Sequence, residues 1–179
     1  MDKKTFKETS IAEIISITGG ILGGLGLAKF TGTLEKIPGL LILIPAFLEM
    51  RGNISGSLAS RLGTYLHLGK IKPFKRNEIL DANISASLLL SISTSLFIGL
   101  FAIFMSYLIK IQIHSIKIIL ISILSGVLSS FLMLFLTIFT SFLLYSKGYD
   151  PDNIMGPYVT TIGDVVSILT IVLVAGMFI

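Results

Sequence analysis

The sequence predicts an all-α integral membrane protein with five transmembrane helices, organised as one domain over residues 1–179. Of the 179 residues, 53% are hydrophobic and only 13% are charged, whereas soluble domains carry roughly 25% charged residues. The apolar residues form continuous runs long enough to cross a bilayer, which takes about 20 residues. A transmembrane barrel would show short alternating segments instead. We therefore expect a multi-pass protein of the cell membrane, embedded in the lipid bilayer.

The composition also limits the chemistry of the protein. It contains no cysteine and two histidines, which excludes disulfides and thiolate metal sites and argues against soft transition metals. An ion handled here should be a hard one with oxygen ligands. The net charge of +4 comes from basic residues in short loops beside apolar runs, where they act as topology signals. We therefore expect no nucleic-acid partner.

The first two predicted helices differ in character. The first spans residues 10–28 and is rich in glycine at small-xxx-small spacing, which allows close approach by a neighbouring helix. The second spans residues 37–66. Pro45 and three glycines should kink or partly unwind it, and irregular backbone at membrane depth is tolerated only where it is buried in protein or lines a cavity. Glu49 and Asn53 lie four residues apart on one helix face.

The remaining helices are predicted over residues 82–109, 116–145 and 157–179. Asp81 or Asn83 is a candidate cap for the third helix, and Pro157 suits the first turn of the fifth. The many Ser and Thr residues of the third and fourth helices are expected to serve helix packing and backbone hydrogen bonds rather than transport.

The distribution of lysine and arginine predicts the topology. A cytoplasmic N-terminus and an outer C-terminus place the larger share of basic residues inside, as the positive-inside rule requires. The inner set is Lys3, Lys4, Lys7, the cluster at residues 70–76 and Lys147, and the outer set is Lys29, Lys36, Lys110 and Lys117. An odd number of spans means that one chain cannot contain a complete two-fold inverted repeat.

Asp164 is the principal functional candidate, because a charged side chain at mid-membrane costs about 2.5–3.5 kcal/mol on insertion scales. Such residues normally face a cavity or a partner. Thr160 and Thr161 precede it by four and three residues and add hydroxyls to one strip of the fifth helix. The alternative is a structural hydrogen bond from Asp164 to a neighbouring helix.

Asp150, Asp152 and Asn153 lie at the start of the same helix. They form either an acidic vestibule that gathers cations or a capped helix start in a polar turn. Motifs of zinc hydrolases, nucleophile elbows and phosphate loops do not occur in the sequence, so we do not expect an enzyme. His67 and His114 are isolated in the sequence, and we expect them to be solvated or packing residues.

Two stretches resemble the membrane domain of the MgtE family of magnesium channels and transporters and its solute-carrier relatives. Residues 45–61 contain Pro45, then Gly52-Asn53 and, after seven further residues, Arg61, as on the second helix of that family. Residues 150–164 begin Asp-Pro-Asp-Asn, continue through Gly-Pro and end in Thr160-x-x-x-Asp164. This second stretch is closer to the solute-carrier branch than to bacterial MgtE.

The resemblance implies a homodimer with an ion path at or near the subunit interface, formed by the second and fifth helices. It assigns Asp164 as the main ligand of a transported Mg²⁺, with Thr160, Asn53 and Glu49 as further metal-site residues. Asp152, from the acidic vestibule, is the remaining candidate metal-site residue. Bacterial members carry large cytoplasmic sensor domains that are not expected here, so gating by them is not implied. The solute-carrier relatives fuse two such units, and dimerisation would supply the second one.

Three functions follow as hypotheses. The first is a divalent-cation channel or transporter, with Mg²⁺ as its ion. The second is a secondary transporter of another cation or small solute, in which Asp164 couples transport to protons or sodium. The third is a membrane-assembly subunit whose polar residues only pack helices.

Overall fold

The computed structural model describes residues 3–179, apart from the side chain of Thr33, and these residues form five α-helices without a β-strand. The helices are α1 (Lys3–Leu34), α2 (Leu40–His67), α3 (Glu78–Leu108), α4 (Ser115–Ser146) and α5 (Pro151–Gly176). The predicted all-α class and the number of helices are confirmed. The first two residues of the predicted 1–179 domain lie outside the described range.

Helix boundaries were predicted least well. The structure begins α5 at Pro151, six residues before the predicted start at Pro157, because Asp150 caps the helix and Pro151 fits its first position. The Asp150 side chain accepts a hydrogen bond from the Asp152 backbone N–H at 3.0 Å. At α3 the cap is Asn77, which accepts from the Leu80 N–H at 2.8 Å. The predicted caps Asp81 and Asn83 both lie inside the helix.

The unwinding predicted for the second helix does not occur, since α2 is continuous from Leu40 to His67. Pro45 lies near the beginning of the helix, where its missing N–H removes only one backbone hydrogen bond. The glycines remain helical because α5 packs on them. A Cβ atom at Gly52 would lie 3.8 Å from Thr160, and one at Gly56 would lie 3.9 Å from Val159. A bend at Pro45 stays a prediction.

Successive helices run in opposite directions, and α2 contacts α3, α4 and α5. The antiparallel packing of α2 on α5 brings Gly63 to Asp152 and Gly52 to Thr160. The first helix packs against α5, with Gly19 against Thr161. This contact confirms the close approach expected from the α1 glycines, although nothing lies within 4 Å of the Cβ position at Gly20.

Small polar residues fill the contact between α3 and α4. Gly99 of α3 lies against Ser122 of α4, and Gly126 of α4 lies against Ser95 of α3. The Ser122 hydroxyl donates to the Ser95 carbonyl at 2.5 Å, and these serines are fully buried. The predicted packing role of the serines is therefore confirmed for this pair of helices.

Four of the five helices are long and apolar enough to cross a membrane: α1, α3, α4 and α5. The second helix falls short because its middle carries Glu49, Arg51 and Asn53. The chain therefore has the helices of a multi-pass membrane protein, whereas a fifth crossing by α2 stays a prediction.

The alternating directions place the larger share of the basic residues at one end of the bundle. There Lys4 Nζ donates to the Gly148 carbonyl at 3.2 Å, and His67 meets Asp150. We call this the basic end, because the lysine-rich loop at residues 68–77 also lies there. At the opposite end Lys117 Nζ donates to the Phe178 carbonyl at 2.8 Å. The identity of the cytoplasmic side stays a prediction.

Candidate ion-binding cleft between α2 and α5

A cleft of about 390 Å³ opens between α2 and α5 in the middle of both helices. It brings together four of the five predicted site residues, two from each helix. The lining residues are Pro45, Leu48, Glu49, Gly52, Asn53, Thr160 and Asp164.

Each helix contributes a pair of polar residues one turn apart. On α2, the Asn53 amide donates to Glu49 Oε1 at 2.9 Å, which holds the two side chains on the same face. On α5, the Thr160 hydroxyl donates to the Gly156 carbonyl at 3.1 Å. Its proton is therefore engaged within the helix, while the oxygen lone pairs are left to face the cleft. Gly52 lies between the pairs and keeps the helices close.

The cleft is electrostatically suited to a cation. Glu49 and Asp164 supply one carboxylate from each helix, and they are close enough to interact electrostatically. Among the described residues that line the cleft, none is basic. Without a cation the two carboxylates repel each other. Carboxylate, amide and hydroxyl oxygens are the ligands that hard divalent ions prefer.

The cleft opens to the outside of the single-chain bundle. Glu49, Asn53 and Thr160 are exposed and Asp164 is half-buried. From Asn53 toward the C-terminal end of α2, the exposed face of the helix remains polar, with polar residues three or four positions apart. We call this face the polar strip, and its residues are Glu49, Asn53, Ser57, Ser60 and Thr64. The outer surfaces of α3 and α4 are apolar by contrast, with Phe97 63% and Phe131 68% exposed.

Asp152, the fifth predicted site residue, lies elsewhere. It precedes Asp164 by twelve residues, which is about 18 Å along a helix. It lies at the basic end with His67 and Asp150, where one ligand atom from each residue falls within 4.8 Å of the others. The His67 ring is exposed and packs edge-on against Tyr145, as expected of a solvated or packing residue, and its Nε2 is 3.2 Å from Asp150 Oδ1. Sequence separation hid this contact between α2 and α5.

Thr161 also departs from the prediction. It is buried and turned toward α1, where its hydroxyl lies 2.8 Å from Ser16 Oγ. The hydroxyl strip beside Asp164 therefore consists of Thr160 alone, because the Thr161 hydroxyl is bonded to α1.

Arg51 is a residue that the sequence analysis missed. It is only 1% exposed and points away from the cleft into the contact between α3 and α4. Its guanidinium donates to Ser130 Oγ at 2.7 Å, to Ser91 Oγ at 2.5 Å and to the Gly126 carbonyl at 3.2 Å. Among the described residues it has no carboxylate partner. Its position within the second hydrophobic run is the sequence signal that could have identified it.

A comparison with protein families places this geometry in a known context. The family model described as MgtE, divalent cation transporter, matches residues 44–174, which is more than two thirds of the chain. The chain belongs to the MgtE family. The matched segment runs from α2 to α5 and so contains the whole cleft, whereas α1 precedes it.

Individual relatives agree with this family membership. The chain is 24% identical over 180 residues to solute carrier family 41 member 2 of Xenopus laevis. The aligned region covers 93% of the chain and 32% of that protein. It is 22% identical over 148 residues to the protein of the same name from Homo sapiens, covering 80% of the chain and 26% of that protein. The chain thus spans about a third or less of the length of these curated relatives.

Membership confirms the resemblance to MgtE proteins found in the sequence. At the family level the activity is divalent-cation transport rather than enzymatic catalysis.

Proposed function

We propose that this MgtE-family chain carries Mg²⁺ across the cell membrane through a path along the cleft between α2 and α5. The observation that supports this most directly is the pairing of Glu49 and Asp164 in one open, oxygen-lined cleft. Asp164 is the principal ion-binding carboxylate. Glu49, Asn53 and Thr160 complete the set of oxygen ligands.

The size of the cleft favours a hydrated ion. At about 30 Å³ per water molecule, a volume of about 390 Å³ holds on the order of a dozen waters. Mg²⁺ dehydrates reluctantly and is commonly held by one or two carboxylates plus several retained waters. A carboxylate on each helix with room for a hydration shell meets that requirement.

The exposed cleft further supports a homodimer. The polar strip faces outward on α2, which on this proposal crosses the membrane, and polar side chains left against lipid are costly. A second copy packed on the same face would cover both strips by two-fold symmetry, since such interfaces are self-complementary. Two copies of Asp164 would then flank one ion path. A bound divalent ion would relieve their mutual repulsion and stabilise the dimer.

The cluster at the basic end extends this proposal. Asp152, with Asp150 and His67, lies at the end of the same α2–α5 contact and forms an acidic entrance to the path. Asp150 also caps α5, so the same turn both caps the helix and forms the vestibule.

The direct test is transport by Asp164→Asn in liposomes that contain a Mg²⁺-sensitive dye. We expect the initial Mg²⁺ flux to fall by more than tenfold, because even outer-shell partners of metal ligands are worth about 10–100-fold. Glu13→Gln is the matched control, since Glu13 is an exposed carboxylate on α1 outside the cleft. This control should transport like the wild type.

Other outcomes would select another function. Unchanged Mg²⁺ flux in Asp164→Asn would refute the proposal. Flux that follows an imposed proton or sodium gradient would favour a coupled transporter of another cation or solute. A correctly folded wild type without flux of any ion would leave a role in membrane assembly.

A further inference from the structure

A second cavity lies at the basic end, away from the ion-binding cleft. It is a groove of about 550 Å³ between the loop that precedes α3 and the outer faces of α3 and α4. We call it the basic-end groove. Its lining residues are Phe74, Lys75, Arg76, Leu80, Asp81, Ile84, Ser85, Phe135, Ile138, Phe139 and Phe142.

The walls of this groove are aromatic and apolar. The Phe74 ring lies 5.6 Å from that of Phe142 and 6.1 Å from that of Phe139, both edge-on, and Phe135 stacks on Phe139 at 5.9 Å. Phe74 is nevertheless 58% exposed, and its φ of 57° is a left-handed conformation that bulky residues rarely adopt. The loop thus holds an apolar side chain over an open groove.

The rim of the groove is positively charged. Lys75 and Arg76 line it, and Lys70 and Lys72 belong to the same loop. Arg76 Nε donates to both carboxylate oxygens of Asp81 at 2.9 Å, an arrangement that anchors the guanidinium at the rim. Four cations in residues 70–76 outnumber the two acids, Glu78 and Asp81, in the first turn of α3.

Away from the rim, the groove continues onto a lipid-facing surface. From Phe142 to Phe135 it follows α4 over about 10 Å, and beyond it Phe131 is 68% and Leu89 65% exposed. The groove therefore joins a charged rim near the helix ends to an apolar wall at membrane depth. That is the shape of one lipid molecule, with its headgroup at the loop and an acyl chain along α4.

We propose that the basic-end groove binds an anionic phospholipid. Its phosphate is held by Lys75 and Arg76, and one acyl chain lies against Phe135, Phe139 and Ile138. Basic pockets between transmembrane helices recognise anionic headgroups in this way. A free phosphate would leave the aromatic wall unused, and a choline headgroup would place its cation beside Lys75. This proposal does not depend on the ion that the cleft conducts.

The test is native mass spectrometry of the full chain purified in detergent. The probe is an equimolar mixture of phosphatidylglycerol and phosphatidylcholine with different acyl-chain masses, repeated with the chain masses exchanged. We expect the wild type to retain phosphatidylglycerol preferentially. Lys75→Gln/Arg76→Gln should lower that preference about tenfold, since each surface cation contributes about a factor of five and Arg76 is shared with Asp81.

Two further variants separate this role from a loss of fold. Lys36→Gln/Lys110→Gln removes the same charge from exposed residues at the opposite end and should keep the preference. Asp81→Asn frees Arg76 and should raise the preference, a direction that misfolding would not produce. Ser85→Trp, which fills the groove, should reduce the retention of both lipids.

Equal retention of the two lipids by the wild type would overturn the proposal. The proposal would also be overturned if Lys75→Gln/Arg76→Gln and Asp81→Asn both left the preference for phosphatidylglycerol unchanged. Displacement of the lipid by excess inorganic phosphate would also contradict it, because the phosphate group alone would then account for binding.

Discussion

At the scale of single residues, α2 places two charges of opposite sign on opposite faces. Glu49 faces the open cleft with Asp164, whereas Arg51 is enclosed by neutral hydrogen-bond acceptors from α3 and α4. A buried charge costs several kcal/mol unless its hydrogen bonds are satisfied. The serines at positions 91 and 130 therefore do more than pack, because they accept hydrogen bonds from a guanidinium group that is buried.

Arg51 offers a test of this arrangement. Arg51→Ala removes a fully buried large side chain and its hydrogen bonds to Ser91, Ser130 and Gly126, so we expect a loss of about 2–5 kcal/mol in the free energy of unfolding. The measurement is an unfolding titration in mixed micelles. Arg61→Ala is the matched control on the same helix, since Arg61 is only half-buried and bonds its own helix at the Ser57 carbonyl. That control should change stability by about 0.5 kcal/mol or less. Equal stability of the two variants would contradict the role of these hydrogen bonds.

At the scale of helices, the contact between α1 and α5 depends on individual glycines. Gly19 lies against Thr161, which bonds Ser16 of α1, and a Cβ atom at Gly23 would lie 3.9 Å from Asp164, Val165 and Ile168. Small residues let helices approach closely in membranes, where no hydrophobic force drives them together. The glycine spacing predicted a packing face, but only the structure shows which glycines form it.

Adjacent glycines make the test specific. Gly19→Leu would overlap Thr161, and we expect it to destabilise the protein by about 1–3 kcal/mol, as overpacking usually does. Gly20→Leu should be nearly neutral, because open space surrounds that position. The midpoint of thermal unfolding in detergent compares them. Similar midpoints for both variants would argue against close α1–α5 packing in solution.

At the scale of the whole molecule, the polar strip is the feature that supports the proposed dimer. Every other long helix exposes large hydrophobic residues, whereas α2 exposes Glu49, Asn53 and three hydroxyl residues along one line. If α2 crosses the membrane as proposed, this face is costly to leave against lipid. Dimerisation through this face would bury the strip and enclose the cleft.

Cross-linking tests the dimer directly, because the chain has no native cysteine. Single cysteines at positions 53, 57, 60 and 64 should form disulfide-linked dimers in membranes under mild oxidation, at one position or more, since a disulfide needs Cβ atoms about 4 Å apart. Phe97→Cys, on the exposed outer face of α3, is the control and should stay monomeric on denaturing gels. Dimers through Phe97 alone would place the interface elsewhere.

The sequence by itself determined the helical membrane class, the number of helices and the two pairs within single helices, Glu49 with Asn53 and Thr160 with Asp164. These follow from the length of apolar runs and from helical periodicity, which are local properties of a chain. That the two pairs belong to one site was implied only by the resemblance to the MgtE family. The tertiary structure decided what depends on contacts distant in sequence. It turned Thr161 toward α1, buried Arg51 among serines and joined His67 to Asp150 at the basic end. The tertiary structure also keeps α2 helical at its glycines, because α5 packs on them and offsets their low helix propensity.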